Sequence, residues 1–172
     1  MAKISITDAP AWVKRLGEEQ HKAALRGVRS AGLRLVSHIQ NVVIPSEPRA
    51  PVDRGIYRGA WRAKNVPDGS LVHNDSPHAV FVEDGVRGEH VKIGRAMIDA
   101  LVEWVRRHAL VRDVPKAGRE AAARGVAFAI ARDMKRRGIF GGSGLKILEK
   151  ARAKARTFIE EEVTAELRKM KV

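Results

Sequence analysis

Residues 50–85, APVDRGIYRGAWRAKNVPDGSLVHNDSPHAVFVEDG, confine the fold more than any other stretch of this chain. Pro, Gly, Asn and Asp crowd around two short runs with strand character, residues 61–66 and 71–74, while helical periodicity lies on both sides. Pro67, Asp68, Gly69 and Ser70 join the runs. Proline presets φ, aspartate bonds its own backbone and glycine accepts a positive φ, so the tetrad predicts a hairpin reversal. Residues 55–61 read as a short helical turn leading into it. A small antiparallel sheet of two or three strands set among long helices is an α+β architecture.

Upstream, the spacing predicts a helix over about 8–43, with Asp8 as N-cap and Pro10 in the first turn. Ala24, Val28, Ala31, Leu35, Ile39 and Val42 recur at three- and four-residue steps, whereas Arg15, Lys22, Arg26 and Arg29 fall on the other side. Pro45 and Pro48 are expected to end it. Leu33 projects from the basic side, so it is a candidate anchor for a partner subunit, against the plainer reading of one exposed leucine.

Downstream, Gly85, Gly88 and Gly94 mark a connection, and helical periodicity fills about 95–170 in three helices. Met97, Leu101, Trp104 and Val105 carry the first stripe; Ala122, Val126, Ala129, Ile130 and Met134 the second; Leu148, Ala151, Ala155, Ile159 and Val163 the third. Gly138, Gly141, Gly142 and Gly144 separate the second from the third. The last helix is basic early, at Lys146, Lys150, Lys154 and Arg156, and acidic late, at Glu160, Glu161, Glu162 and Glu166. That order opposes the helix dipole. It suggests pairing between copies or, more simply, a solvated charged face.

At 172 residues the chain fits one domain, 1–172, able to bury a hydrophobic core. It has no cysteine, hence no disulfide, thiolate nucleophile or cysteine-bound metal. No apolar run approaches a membrane span and no secretory leader is visible, so a soluble protein without a membrane partner is expected. A formal net charge of +13 favours a polyanionic neighbour, although its cations are dispersed along the chain rather than gathered on one reading element.

Reactive chemistry finds little support. His21, His38, His73, His78, His90 and His108 are scattered without metal-ligand spacing. Ser76 precedes proline, and Ser143 lies in a Gly-Gly-Ser-Gly turn without a nucleophile elbow or the Lys-Ser/Thr of a phosphate loop. Asp53, Asp75, Glu83 and Asp84 read more economically as turn caps than as paired acids. No catalytic, cofactor-binding or metal-binding residue is assigned.

The ordered motifs of 50–85 resemble the head-tail joining family of tailed bacteriophages, the tail-completion, neck or minor tail proteins. Pro51, Val52, Asp53, Arg54 and Gly55 are similar to the family's Pro-Val-Asp-Thr-Gly, followed by Arg58 and Trp61 in its basic and apolar places. Asn74 through Ala79, with Pro77 and His78, look like its Asn-x-x-Pro-Tyr-Ala, and Val82, Glu83, Asp84 and Gly85 like its Val-Glu-x-Gly. Arg137, Gly138 and Ile139 resemble an Arg-Gly-Ile turn before the final helix. Arg54 stands where threonine is usual and His78 where tyrosine is. The likeness covers nearly the whole chain.

The resemblance implies a non-enzymatic virion protein, made in the host cytoplasm and resident at the head-tail interface. Copies would form a ring, six-fold by the family's pattern, between a connector or head-completion protein and the tail terminator or tail tube, with DNA passing through. Pro51, Asp53, Gly55, Asn74, Pro77, Ala79, Glu83 and Gly85 would then shape the scaffold, Glu83 as a cap for backbone amides or as an ion pair across a subunit boundary. Arg26, Arg29, Leu33, Arg136, Arg137, Lys146, Lys150 and Lys154 are the candidate contacts to partner rings or DNA. The alternative function is a basic nucleic-acid-binding protein that meets phosphates through its helices.

Overall fold

A computed structural model describes residues 3–5 as backbone and residues 17–47 and 55–170 in full. It has the α+β architecture: a long N-terminal helix, a small antiparallel sheet and C-terminal helices. Contacts divide the chain into two compact units, Met1–Glu83 with Leu145–Val172, and Asp84–Gly144.

In the first unit, α1 (Glu18–His38) begins with two acidic residues, which suit the positive end of its dipole. Gly17 N–H donates to Gln20 Oε1 at 3.3 Å and so finds a partner at the helix entrance. Asp8 and Pro10 lie outside the described residues. Ala24, Val28, Ala31, Leu35 and Ile39 are buried along the predicted stripe, but Val42 is 53% exposed. The cause is a wide π-type turn, Ile39–Val43, which rotates the register so that Val43 points inward instead.

Pro45 does not end this helical path; it sits within α2 (Ile44–Ser46), and the chain becomes extended only at Glu47. A proline ring crowds the carbonyl four residues back. That carbonyl belongs to Asn41, in the middle of the wide turn. Pro48, Pro51 and Asp53 lie outside the described residues.

Gly55, with φ 64°, opens α3 (Ile56–Gly59), which leads into β2 (Trp61–Val66) and β3 (Gly69–Asn74). With β1 (Lys3–Ser5), which no sequence pattern announced, they make an antiparallel sheet ordered β1-β3-β2. Val66 pairs with Gly69, leaving Pro67 and Asp68 as a two-residue turn. Gly69 is therefore a strand residue, and it is absent from the positive-φ glycines: Pro67 and Asp68 make the reversal without it. Register places Trp61 with Asn74, Ala63 with Val72 and Asn65 with Ser70 on one face. Helix α1 packs there, closest at Gly32, where any side-chain carbon would strike Ser70.

Helix α7 (Ile147–Arg168) runs antiparallel to α1 and buries Ile147, Ala151, Ala155 and Val163. At their crossing, a Cβ on Gly27 would lie 2.6 Å from Val163 Cα and 2.9 Å from Glu162 O. Backbone meets backbone here. The acidic end of α7, read from sequence as pairing between copies or as a solvated face, pairs within the chain. Arg26 Nε meets Glu166 Oε2 at 3.0 Å, Arg34 meets Glu161 at 2.6 Å and Glu162 at 3.2 Å, and Ser30 Oγ donates to Glu162 at 2.7 Å.

A short helix that the sequence pattern does not predict, α4 (Ala79–Asp84), follows β3. In the second unit, α5 (Arg95–Arg107) packs against α6 (Arg119–Arg137). Ile98, Val102 and Val105 face Ala123, Ala127 and Ala131. The buried ridge of α6 is thus made of alanines that let the helices approach, with Ala122, Val126 and Ile130 flanking it. Ala129, placed inward from sequence, is exposed. Val86 and Ile139 exchange backbone hydrogen bonds at 3.1 and 2.8 Å in an isolated antiparallel bridge. Among the described residues no helix is long and apolar enough to cross a membrane.

Candidate structural junction and basic faces

The residues that carried the sequence signature converge where β3 ends and α7 begins. Asn74 is 1% exposed, and its amide works in both directions. Nδ2 donates to Tyr57 O at 2.9 Å, tying the sheet to α3, and Oδ1 accepts from Ser76 N at 2.8 Å, closing the local turn. Ser76 continues it: its Oγ accepts from His78 N at 3.2 Å and its carbonyl from Ala79 N at 3.0 Å. Both bonds occupy amides at the entry to α4 that would otherwise lack partners. Pro77, which has no N–H to satisfy, takes the exposed place between them. Ala79, 1% exposed, leaves no room for a larger side chain.

Glu83 closes the junction. Only 5% exposed, it accepts from Tyr57 Oη at 2.9 Å through Oε1 and from Leu148 N at 3.1 Å through Oε2. A carboxylate taken from water requires such partners. Leu148 lies in the first turn of α7, so the negative charge also sits at the favourable end of the helix dipole. Burial, then the charge of Glu83, then its hydrogen bond push the Tyr57 hydroxyl well above the usual tyrosine range, keeping it a donor. Tyr57 stands edge-on to Trp61 with ring centroids 5.9 Å apart. Trp61 Nε1 is buried without an acceptor among the described residues. Of the two roles open to Glu83 from sequence, the geometry holds the amide cap.

Backbone bonds complete the clamp: Leu145 N donates to Val82 O at 2.8 Å and Lys146 N to Glu83 O at 3.4 Å. Gly85 has φ 71°, and a side-chain carbon there would collide with the backbone of residues 142–144. The carboxylates that can be described serve local partners. Asp75 meets His73 at 3.2 Å, Glu83 is bound as above, and Asp53 lies outside the described residues. Among the described residues no group of three or more His, Asp or Glu could hold a metal ion.

Within the first unit, the cationic candidates of α1 and those of α7 are not brought together. Arg26 is engaged by Glu166, Lys150 by Glu47, and both Arg136 and Arg137 by Asp133 at 2.8 Å. Arg29 is half-buried, its Nε without a hydrogen-bond partner among the described residues, while Leu33 is 64% exposed. Lys146 takes a left-handed φ of 53° immediately before α7. Lys154 is exposed near His38, whose pKa is lowered by burial and then by that lysine's charge. Antiparallel packing thus puts the α1 candidates and the α7 candidates at opposite ends of the pair, and Arg136 and Arg137 belong to the second unit.

Sequence reasoning missed Arg34, which binds two glutamates and stacks 4.4 Å above the Phe158 ring. Its spacing from Arg26, two helical turns, was the available signal. Compared with protein-family models, curated proteins and solved structures, the chain matches none.

Proposed function

We propose that this chain is a structural protein of a tailed bacteriophage: a neck component that forms a ring, completes the tail and joins it to the capsid connector, with DNA passing through. One observation carries the reading. The residues of the resembling motifs that can be described, Gly55, Asn74, Pro77, Ala79, Glu83 and Gly85, serve to place a sheet end, a short helix and the start of α7, and the polar ones spend their groups on backbone and Tyr57. This is the economy of a scaffold, in which recognition belongs to outward-facing surfaces such as Leu33 on α1 and Phe81, 51% exposed, on α4.

Electrostatics supports an assembly with acidic or nucleic-acid neighbours. A ring made of copies each carrying +13 repels itself unless connector, tail or DNA supplies negative charge. The purified protein, mixed with connector and tail-terminator proteins of the same phage, is expected to form a closed ring or a defined complex by sedimentation and negative-stain microscopy. A monomer that joins neither partner at micromolar concentration would count against the proposal.

A further inference from the structure

The turn between α5 and α6 is built around arginine. Beyond α5 the chain turns at Ala109, which adopts a left-handed φ of 52°, and Arg119 reaches back over the turn. Its Nε donates to Val114 O at 2.8 Å and its Nη2 to Arg112 O at 3.0 Å. Those two bonds fix the guanidinium plane. Beside it is a depression of about 350 Å³ lined by Arg106, Ala109, Val111, Arg112, Arg119 and Glu120. Glu120 is neutralised by its ion pair with Arg106. Arg112 stands on the rim with its side chain 78% exposed, in a 3.6 Å contact with the adjacent Asp113.

We propose that this depression is a binding site for the phosphodiester backbone of nucleic acid. Three guanidiniums against Glu120 and the rim carboxylate of Asp113 leave a positive excess that favours an anion, and planar forks match phosphate oxygens. Arg119 is already ordered by the two carbonyls, so binding costs little of its rotamer freedom. A guanidinium has five N–H donors, so Arg106 retains several beyond its pair with Glu120. Ala109 and the nearly buried Val111 give the depression an apolar wall, which suits a sugar attached to the phosphate better than a free hydrated ion. Lys116 and the exposed His108, stacked on Trp104 with centroids 4.3 Å apart, lie on the same connecting segment. Arg106 and Arg112 read from sequence as part of one basic cluster, but none of the three arginines is among the candidate contacts to partner rings or DNA. The inference is independent of the ring, because it concerns the single chain.

The test is fluorescence anisotropy of the full chain on a labelled random-sequence duplex across a salt series. Arg106→Gln with Arg112→Gln is expected to weaken binding about tenfold and to lower the slope of log affinity against log salt by about 0.9 for each lost phosphate contact. A charge-matched control on α7, the exposed pair Arg152→Gln with Arg156→Gln, is expected to change affinity less than about threefold. Equal losses in both variants would overturn the site in favour of diffuse charge. Arg112→Gln alone removes no buried contact, so circular dichroism should show it folded, and an unchanged slope for it would likewise overturn the proposal. Unlabelled duplex should displace the probe, whereas inorganic phosphate at matched ionic strength should not. Displacement by phosphate, or by polyglutamate as readily as by duplex at equal charge, would assign the site to a free anion or an acidic protein and refute it.

Discussion

Gly27→Ala is expected to destabilise the first unit by at least about 1–3 kcal/mol, the usual cost of overpacking, and Gly27→Leu to prevent α1 and α7 from pairing. The reason is what the added carbon meets. Flexible side chains can swing aside, but the obstacles at Gly27 are Val163 Cα at 2.6 Å, Val163 N at 2.8 Å and Glu162 O at 2.9 Å. Relief requires the helices to separate, which would loosen burial of Val28, Ala31 and Val163 and strain the arginine-glutamate pairs on either side. The natural control is Gly125, inside α6, where an added carbon has nothing within 4 Å. Gly125→Ala should stabilise the protein by about 0.5–1 kcal/mol through helix propensity alone. Urea midpoints at unchanged slope separate the two cases. A Gly27→Ala variant as stable as the parent would mean that the α1–α7 crossing is wrongly described.

The second large effect is at Glu83. Glu83→Ala strands the buried Tyr57 hydroxyl and the Leu148 amide together, and each unsatisfied group costs about 1–3 kcal/mol. Tyr57→Phe removes one donor but leaves the carboxylate its amide, so a smaller loss of about 1 kcal/mol is expected. The double variant should lose less than the sum, because the two residues share one bond. Glu83→Gln keeps acceptor capacity but loses the charge at the α7 terminus, and should fall between the parent and Glu83→Ala. Thermal melts of the four variants measure the coupling. If Glu83→Ala melted with the parent yet failed to assemble, Glu83 would be a subunit contact and its capping role would be wrong.

What the sequence revealed follows the range of the physics involved. The hairpin was legible because Pro67 and Asp68 act locally, and the α1 stripe because five of its six positions face one way. The departures arose where the decisive partner is distant or the local signal is short. Pro45 reads as a terminator, yet a wide turn beginning at Ile39 lets the helix pass it. Ala79–Asp84 is too brief to show periodicity, and its preceding Asn-Asp-Ser-Pro looks like a turn; that same turn is what caps it. In α6 both faces contain apolar residues, so the larger Val126 and Ile130 drew attention from the alanines that fill the interface.

The junction shows the same division. Asn74 as a turn former and Gly85 as a positive-φ residue could be inferred from residue type. That Glu83 would hold Tyr57 and the start of α7 could not, since Leu148 lies 65 residues further on. Nor could the charge order of α7 be explained before α1 was set against it: Glu166 and Arg26 are 140 residues apart. A helix that appears to oppose its own dipole is here matched to a neighbour.

The proposed role requires that the gene belong to a phage genome, and it is tested most directly by deleting the gene there and imaging the particles produced. Loss of the neck component predicts DNA-filled heads and finished tails that remain separate, with joining restored when the intact chain is supplied in trans. Normal, infectious virions formed without the protein would contradict the account.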